Sequence, residues 1–297
     1  MIAGAVTTGA PFSWNPVDDV QQLLQFEFMR NALVAGSAVA VAAGVVGYFV
    51  VLRSLSFATH ALTQIGFAGA TGALAASVNP LYGLLLINGA GAAMIGGLGR
   101  RWRGRDVVIG VVQSAGLGLG LLFLALYRAH EAVPVLVGDP FGVSAAQVQI
   151  TLVSAAVILV AVATVFRPLL FATLDEEIAE ARGVRTGLMS VLMLFILAVT
   201  VSVAAPIIGV LLTFALVVGP AATAALISSR PGRAVSLSVA LGVVYVWAGL
   251  AVSNWVDVPP SVFVTGLAFA GYVAARLARA HAPRVGFQAN PAAPRTE

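Results

Sequence analysis

The chain has 297 residues, of which 60% are hydrophobic and only 9% charged, with a mean hydropathy of +0.98. A soluble domain carries about 25% charged residues, so no part of this chain can cover a water-facing surface, and one membrane domain is expected. The formal net charge of +4 comes entirely from arginine, and the absence of cysteine excludes disulfides, thiolate metal sites and cysteine nucleophiles.

Met1 to Ala10 has neither a basic n-region nor a long apolar run, so the first spanning segment is expected to direct insertion. In residues 15–30, Val17, Val20, Leu24 and Phe28 recur at helical spacing among polar and acidic neighbours. That pattern predicts a short helix lying in the membrane interface. Residues 1–30 are therefore assigned to an extracytoplasmic N-terminal segment.

A spanning helix needs about 20 predominantly apolar residues. Segments near 31–52, 57–78, 80–99, 107–127, 148–167, 187–205, 206–228, 234–255 and 260–280 meet that demand. The expectation is an all-α, polytopic transmembrane bundle occupying residues 31–280. About forty apolar residues run uninterrupted through 187–228 and are divided at Pro206, which removes a helix donor. A broken or re-entrant pair is equally allowed there, so eight or nine spans are expected. Residues 281–297, rich in Pro, Ala and Arg, are expected to form a disordered cytoplasmic tail.

Charge placement orients the bundle. If the loop holding Arg100, Arg101, Arg103 and Arg105 is cytoplasmic, nine spans put the N-terminus outside and the C-terminus inside. Fourteen of the 16 arginines then face the cytoplasm, and only Arg30 and Arg128 fall outside. The outer segments instead hold Asp18, Asp19, Glu27, Glu131, Asp139 and Asp257. Arginines spaced out among loops do not make a nucleic-acid surface. Glycines at Gly66, Gly89, Gly91, Gly96, Gly97, Gly116 and Gly120 are read as helix-packing positions.

Chemistry has few carriers. No HExxH, GxSxG or GxxxxGK[ST] pattern occurs, so ATP-driven work needs a separate subunit. His60 is the only Asp, Glu, His, Lys or Arg between residues 54 and 99, and Gln64 follows four residues later. The two lie about 40° apart on one helix face. Ionisable groups within a span usually face a bundle interior or a water-filled route, although His60 could also bond a backbone carbonyl. The segment Leu174–Gly183 is charged, helix-prone and closed by glycine; it is either a solvated loop or a cytoplasmic helix that receives a push from a motor.

Phe28-Met-Arg-Asn-Ala-Leu, Gly47-Tyr-Phe-Val-Val-Leu-Arg53, Ser56-Phe-Ala-Thr-His-Ala-Leu-Thr-Gln-Ile65, Leu174-Asp-Glu-Glu-Ile-Ala-Glu-Ala-Arg-Gly-Val184, Ile208-Gly-Val-Leu-Leu212, Val218-Gly-Pro-Ala-Ala-Thr-Ala224 and Asp257-Val-Pro-Pro260 together carry a resemblance. In their order and spacing they resemble the permease family of ATP-binding-cassette importers for zinc, manganese and related ions, over roughly residues 28–280. The resemblance implies a multi-pass permease of a bacterial plasma membrane, with no enzyme activity and no permanent cofactor. Its cargo would be a divalent metal ion. Its partners would be a cytoplasmic ATPase, an extracytoplasmic metal-binding protein, a second copy of the chain and membrane lipid. By the same resemblance Asp175, Glu176, Glu177, Glu180 and Gly183 form the helix that couples to the ATPase. Residues 56–65 correspond to the family's Gly-Asp-Ala-Leu-Ser-His stretch, whose Asp and His line the metal path. Thr59 stands for the Gly, His60 for the Asp, Thr63 for the Ser and Gln64 for the His. Both ligand positions thus depart from the pattern: imidazole suits zinc and late first-row ions, an amide is weaker, and the carboxylate charge is gone. An importer of the same mechanics for a metal-siderophore complex or a corrinoid is the alternative. An intramembrane enzyme lacks a nucleophile–base pair.

Overall fold

The computed structural model describes residues 25–101, 105–126, 137–256 and 258–281, and its elements are all helical. In chain order these are α1 (Glu27–Leu52), α2 (Ser56–Ala75), α3 (Pro80–Arg101), α4 (Arg105–Leu126), α5 (Ala145–Leu174), α6 (Glu176–Ala181), α7 (Thr186–Ile208), α8 (Val210–Ile227), α9 (Pro231–Trp255) and α10 (Pro260–His281). Seven of them are long and apolar enough to cross a membrane, against the eight or nine expected. Of the other two long helices, α2 is diluted by three threonines, His60 and Gln64, and a helix packed among helices needs no lipid-compatible face; α8 is apolar along its length but, at 18 residues, is the shortest of the long helices.

The inner column is built by α1, α2 and α7. Helix α1 packs on α9, α8, α5 and α7, while α3 and α4 flank α2. Small residues permit this. A Cβ on Gly116 would lie 3.0 Å from the Ile65 Cα, and one on Gly120 3.1 Å from the Ala68 nitrogen, so α4 presses its backbone side on α2. Gly66, Gly91 and Gly96 also meet neighbours, whereas Gly89 and Gly97 face open space and have no such packing role. Across the interior, the buried Asn88 amide of α3 donates to Ser202 Oγ of α7 at 3.0 Å.

Three boundaries differ from expectation. Glu27 to Arg30 form the first turn of α1, not the end of a separate interfacial helix; residues 15–24 and 282–297 lie outside the described residues. Helix α5 runs through Pro168 to Leu174, because Leu169 and Ala172 remain buried against the core and the lost donor is one bond among many. The α7–α8 break falls at Gly209, not at Pro206, which sits inside the last turn of α7. Gly209 has φ 95° and ψ 147°, a backbone conformation open essentially to glycine alone. Its Cα side abuts the Val137–Gly138 backbone, which fills the break.

Candidate functional site

Helix α2 follows α1 through a tight turn, in which Leu55 N–H donates to Val50 O at 2.8 Å. It is buried on nearly every side. Thr59, Thr63 and Thr71 donate their hydroxyls to the carbonyls of Leu55, His60 and Phe67, at 3.0, 2.6 and 2.9 Å. Those polar groups are thereby satisfied within their own helix. What remains is a stripe in its first half: Ser56, Phe57, His60 and Gln64 are the residues between positions 56 and 71 that are not buried. The structure thus puts His60 and Gln64 together on the one open strip of an enclosed helix.

Among the described residues neither side chain has a hydrogen-bond partner. The imidazole instead meets Phe214 of α8 edge-on, with ring centroids 5.4 Å apart and planes at 76°. Ser56 and Phe214 also border a groove of about 410 Å³ that continues between α8 and α10 past Ala222, Phe269 and Tyr272. Phe57 is 44% exposed and Phe269 70% exposed on this side of the bundle. Sequence reasoning missed the aromatic neighbours. Phe214 lies 154 positions from His60, and nothing local marks it. Among the described residues no three His, Cys, Asp or Glu side chains gather closely enough to hold an ion, and the strip itself carries one imidazole and one amide.

The second predicted cluster lies at one end of the bundle. Asp175 closes α5 and opens α6, its carboxylate accepting from Ile178 N–H at 2.9 Å. Ala179 is fully buried beneath the short helix. Glu180 Oε1 accepts from the Thr186 hydroxyl at 2.5 Å, which ties α6 to the start of α7. Gly183, at φ 83°, ends the helix: Val184 N–H reaches Ala179 O at 3.0 Å and Gly183 N–H reaches Glu180 O at 2.9 Å, a Schellman closure. Of the five residues, then, Asp175, Glu180 and Gly183 shape the element, and Glu176 and Glu177 extend from it, exposed. Beside them stand two exposed apolar side chains that the sequence reading did not single out, Leu174 and Ile178, at 69% and 49%. The same end is clamped by Arg53, whose guanidinium donates to Thr173 Oγ1 at 3.1 Å and to Ser190 Oγ at 2.5 Å. One cation joins the ends of α1, α5 and α7.

Residues 25–279 match the model of the ABC 3 transport family. The chain is 28% identical over 234 residues to the manganese transport system membrane protein MntC of Listeria monocytogenes, covering 78% of this chain and 83% of that protein. It is 23% identical over 240 residues to the high-affinity zinc uptake system membrane protein ZnuB of Buchnera aphidicola, covering 80% and 92%. Among solved structures, PsaBC from Streptococcus pneumoniae in complex with Fab shares the fold, with a TM-score of 0.79 over 87% of this chain and 94% of that one, at 24% identity.

Proposed function

Since the chain belongs to the ABC 3 transport family, we propose that it is the membrane-spanning permease of an ATP-binding-cassette importer carrying a divalent transition-metal ion, manganese or zinc, into the cytoplasm. It carries no ATP site of its own. A cytoplasmic ATPase drives it, an extracytoplasmic binding protein delivers the ion, and two copies of the chain enclose the route. Relatives named for manganese and zinc transport support the cargo.

The observation that carries the reading is the open strip on α2. A half-buried imidazole and amide, four residues apart on a helix that is buried over most of its first four turns, are costly to leave facing hydrocarbon, where an unsatisfied polar group costs several kcal/mol. Facing the same strip of a second copy, they form two imidazoles and two amides around a common route. A carboxylate-free set of this kind holds an ion weakly, which suits passage more than storage. The apolar side chains around it, Phe57 and Phe214, restrict how much water accompanies the ion. Imidazole nitrogen is the stronger ligand for late first-row ions, so His60 does most of the binding.

At the end bearing α6, assigned to the cytoplasm by the arginine distribution, Glu176, Glu177, Leu174 and Ile178 present acidic and apolar groups side by side. That mixture fits a protein surface better than it fits water alone, and the ATPase is the proposed occupant. The N-terminus then lies outside.

Reconstitution with the ATPase in liposomes tests the route. ATP-driven uptake of radioactive manganese and zinc should fall at least about tenfold in His60→Ala, and less in Gln64→Ala, at equal incorporation. The double change His60→Asp with Gln64→His should alter the manganese-to-zinc ratio. Unchanged uptake and ratio in all three would make the strip structural and overturn the assignment.

A further inference from the structure

Arg30 breaks the charge pattern: the orientation read from the arginines puts it on the side away from the basic loops, and it stands in the first turn of α1. A cation there opposes the positive end of the helix dipole. Its side chain is exposed, and among the described residues it has no ion pair or side-chain hydrogen bond, even with Glu27 three positions earlier. Arg30 also lines a groove of about 780 Å³ between α1, α5 and α9. Its lining includes small side chains, Ser37 and Ala38 of α1 with Ala248 and Ala251 of α9, together with Leu152 and Trp247, and Trp247 Nε1–H is already spent on Ser37 Oγ at 2.7 Å.

We propose that this groove is a phospholipid site, in which Arg30 binds the lipid phosphate and an acyl chain lies along α1 beneath it. Three features converge on that occupant. The groove follows α1 from Arg30 to Val41, eleven residues or about 16 Å at the helical rise, against about 15 Å for one leaflet of a hydrocarbon core. Apart from Arg30 the lining has only two polar side chains, Ser37 and Trp247, and these are bonded to each other, so it suits hydrocarbon better than a polar ligand. The single cation sits at the head-group end, where guanidinium pairs with phosphate in a two-pronged geometry. The proposal rests on the membrane reading above and, for the outer leaflet, on its orientation. The groove lies on α1, α5 and α9, away from the His60 strip on α2, so it does not compete with the proposed contact between copies.

Trp247 makes the site readable. In the full-length chain with Trp14, Trp102 and Trp255 changed to Phe, Trp247 fluorescence is followed in detergent while lipid with brominated acyl chains is added. Phosphatidylglycerol should quench at about fivefold lower concentration than diacylglycerol bearing the same chains. Arg30→Gln should abolish that preference, and Arg30→Lys should retain part of it; emission maximum and elution volume before lipid is added check that each variant is folded. Glycerol phosphate at millimolar concentration should not protect Trp247, separating a lipid head group from free phosphate. Equal curves for the two lipids, or a preference unchanged in Arg30→Gln, would overturn the site. So would quenching that requires deletion of residues 1–24, which would make the N-terminal segment the occupant, or quenching that appears only on dilution, which would make it a second copy. ATP-driven uptake is measured separately, so equal curves for the two lipids with Arg30 in place and transport intact refute this site alone.

Discussion

Gly209 offers the sharpest test of how the bundle is organised. Its φ of 95° lies where a Cβ is strained, at a cost of about 1–3 kcal/mol. A Cβ would also stand 2.5 Å from the Val137 oxygen and 2.7 Å from the Gly138 nitrogen. These are backbone atoms, unable to swing aside as a side chain would, and such overpacking costs about another 1–3 kcal/mol. Gly209→Ala should therefore destabilise the chain by about 2–6 kcal/mol. At roughly 2–4 °C per kcal/mol for chains approaching this size, the apparent melting temperature should fall by about 4–24 °C. The assay is heating of detergent-solubilised protein followed by fluorescence-detected size-exclusion chromatography. Gly89→Ala is the internal control: Gly89 is helical with nothing within 4 Å of a Cβ, so alanine should be neutral or stabilising by up to about 1 kcal/mol. The break at Gly209 also sets where α8 begins, and hence that Phe214 reaches His60. The variant should lose uptake even at temperatures where it survives. If Gly209→Ala and Gly89→Ala melt within a degree or two of each other, neither the backbone conformation nor the fit against Val137 matters, and the reasoning fails.

At Gly183 the only obstacle is φ, since a Cβ there meets nothing within 4 Å. Gly183→Asn, which tolerates the left-handed region, should keep ATPase co-purification near the native level, whereas Gly183→Val should reduce it severalfold; equal retention by both would remove α6 closure from the coupling scheme. Topology can be read by impermeant thiol labelling of this cysteine-free chain. Thr186 is buried and held by Glu180, so the informative positions are the exposed Ser144 and Glu177, which should react from opposite faces of the membrane. Labelling of both from one side would refute the assignment of the α6 end to the cytoplasm.

Much of this molecule was legible without coordinates, because hydrocarbon is a demanding solvent. Each spanning helix must satisfy its own backbone and present apolar residues for about 20 positions, so the run of helices could be read from composition to within a few residues at most ends. His60 and Gln64 could be picked out for the same reason, as polar groups where polarity is costly. The α7–α8 break was misplaced because Pro206 is a local signal, and a proline in a last turn is easily carried. The actual break depends on Val137–Gly138, some seventy residues away, lying against Gly209. The span count was high at α2, where three threonines, His60 and Gln64 lower the hydropathy and enclosure by other helices gives the helix its place. Sequence alone determined that the chain is a helical membrane bundle, where its arginines gather and which side chains are too polar for lipid. Which of those side chains stay open, that Phe214 stands against His60, and that Arg30 caps an apolar groove were decided by tertiary packing, since each depends on helices that only the folded chain brings side by side.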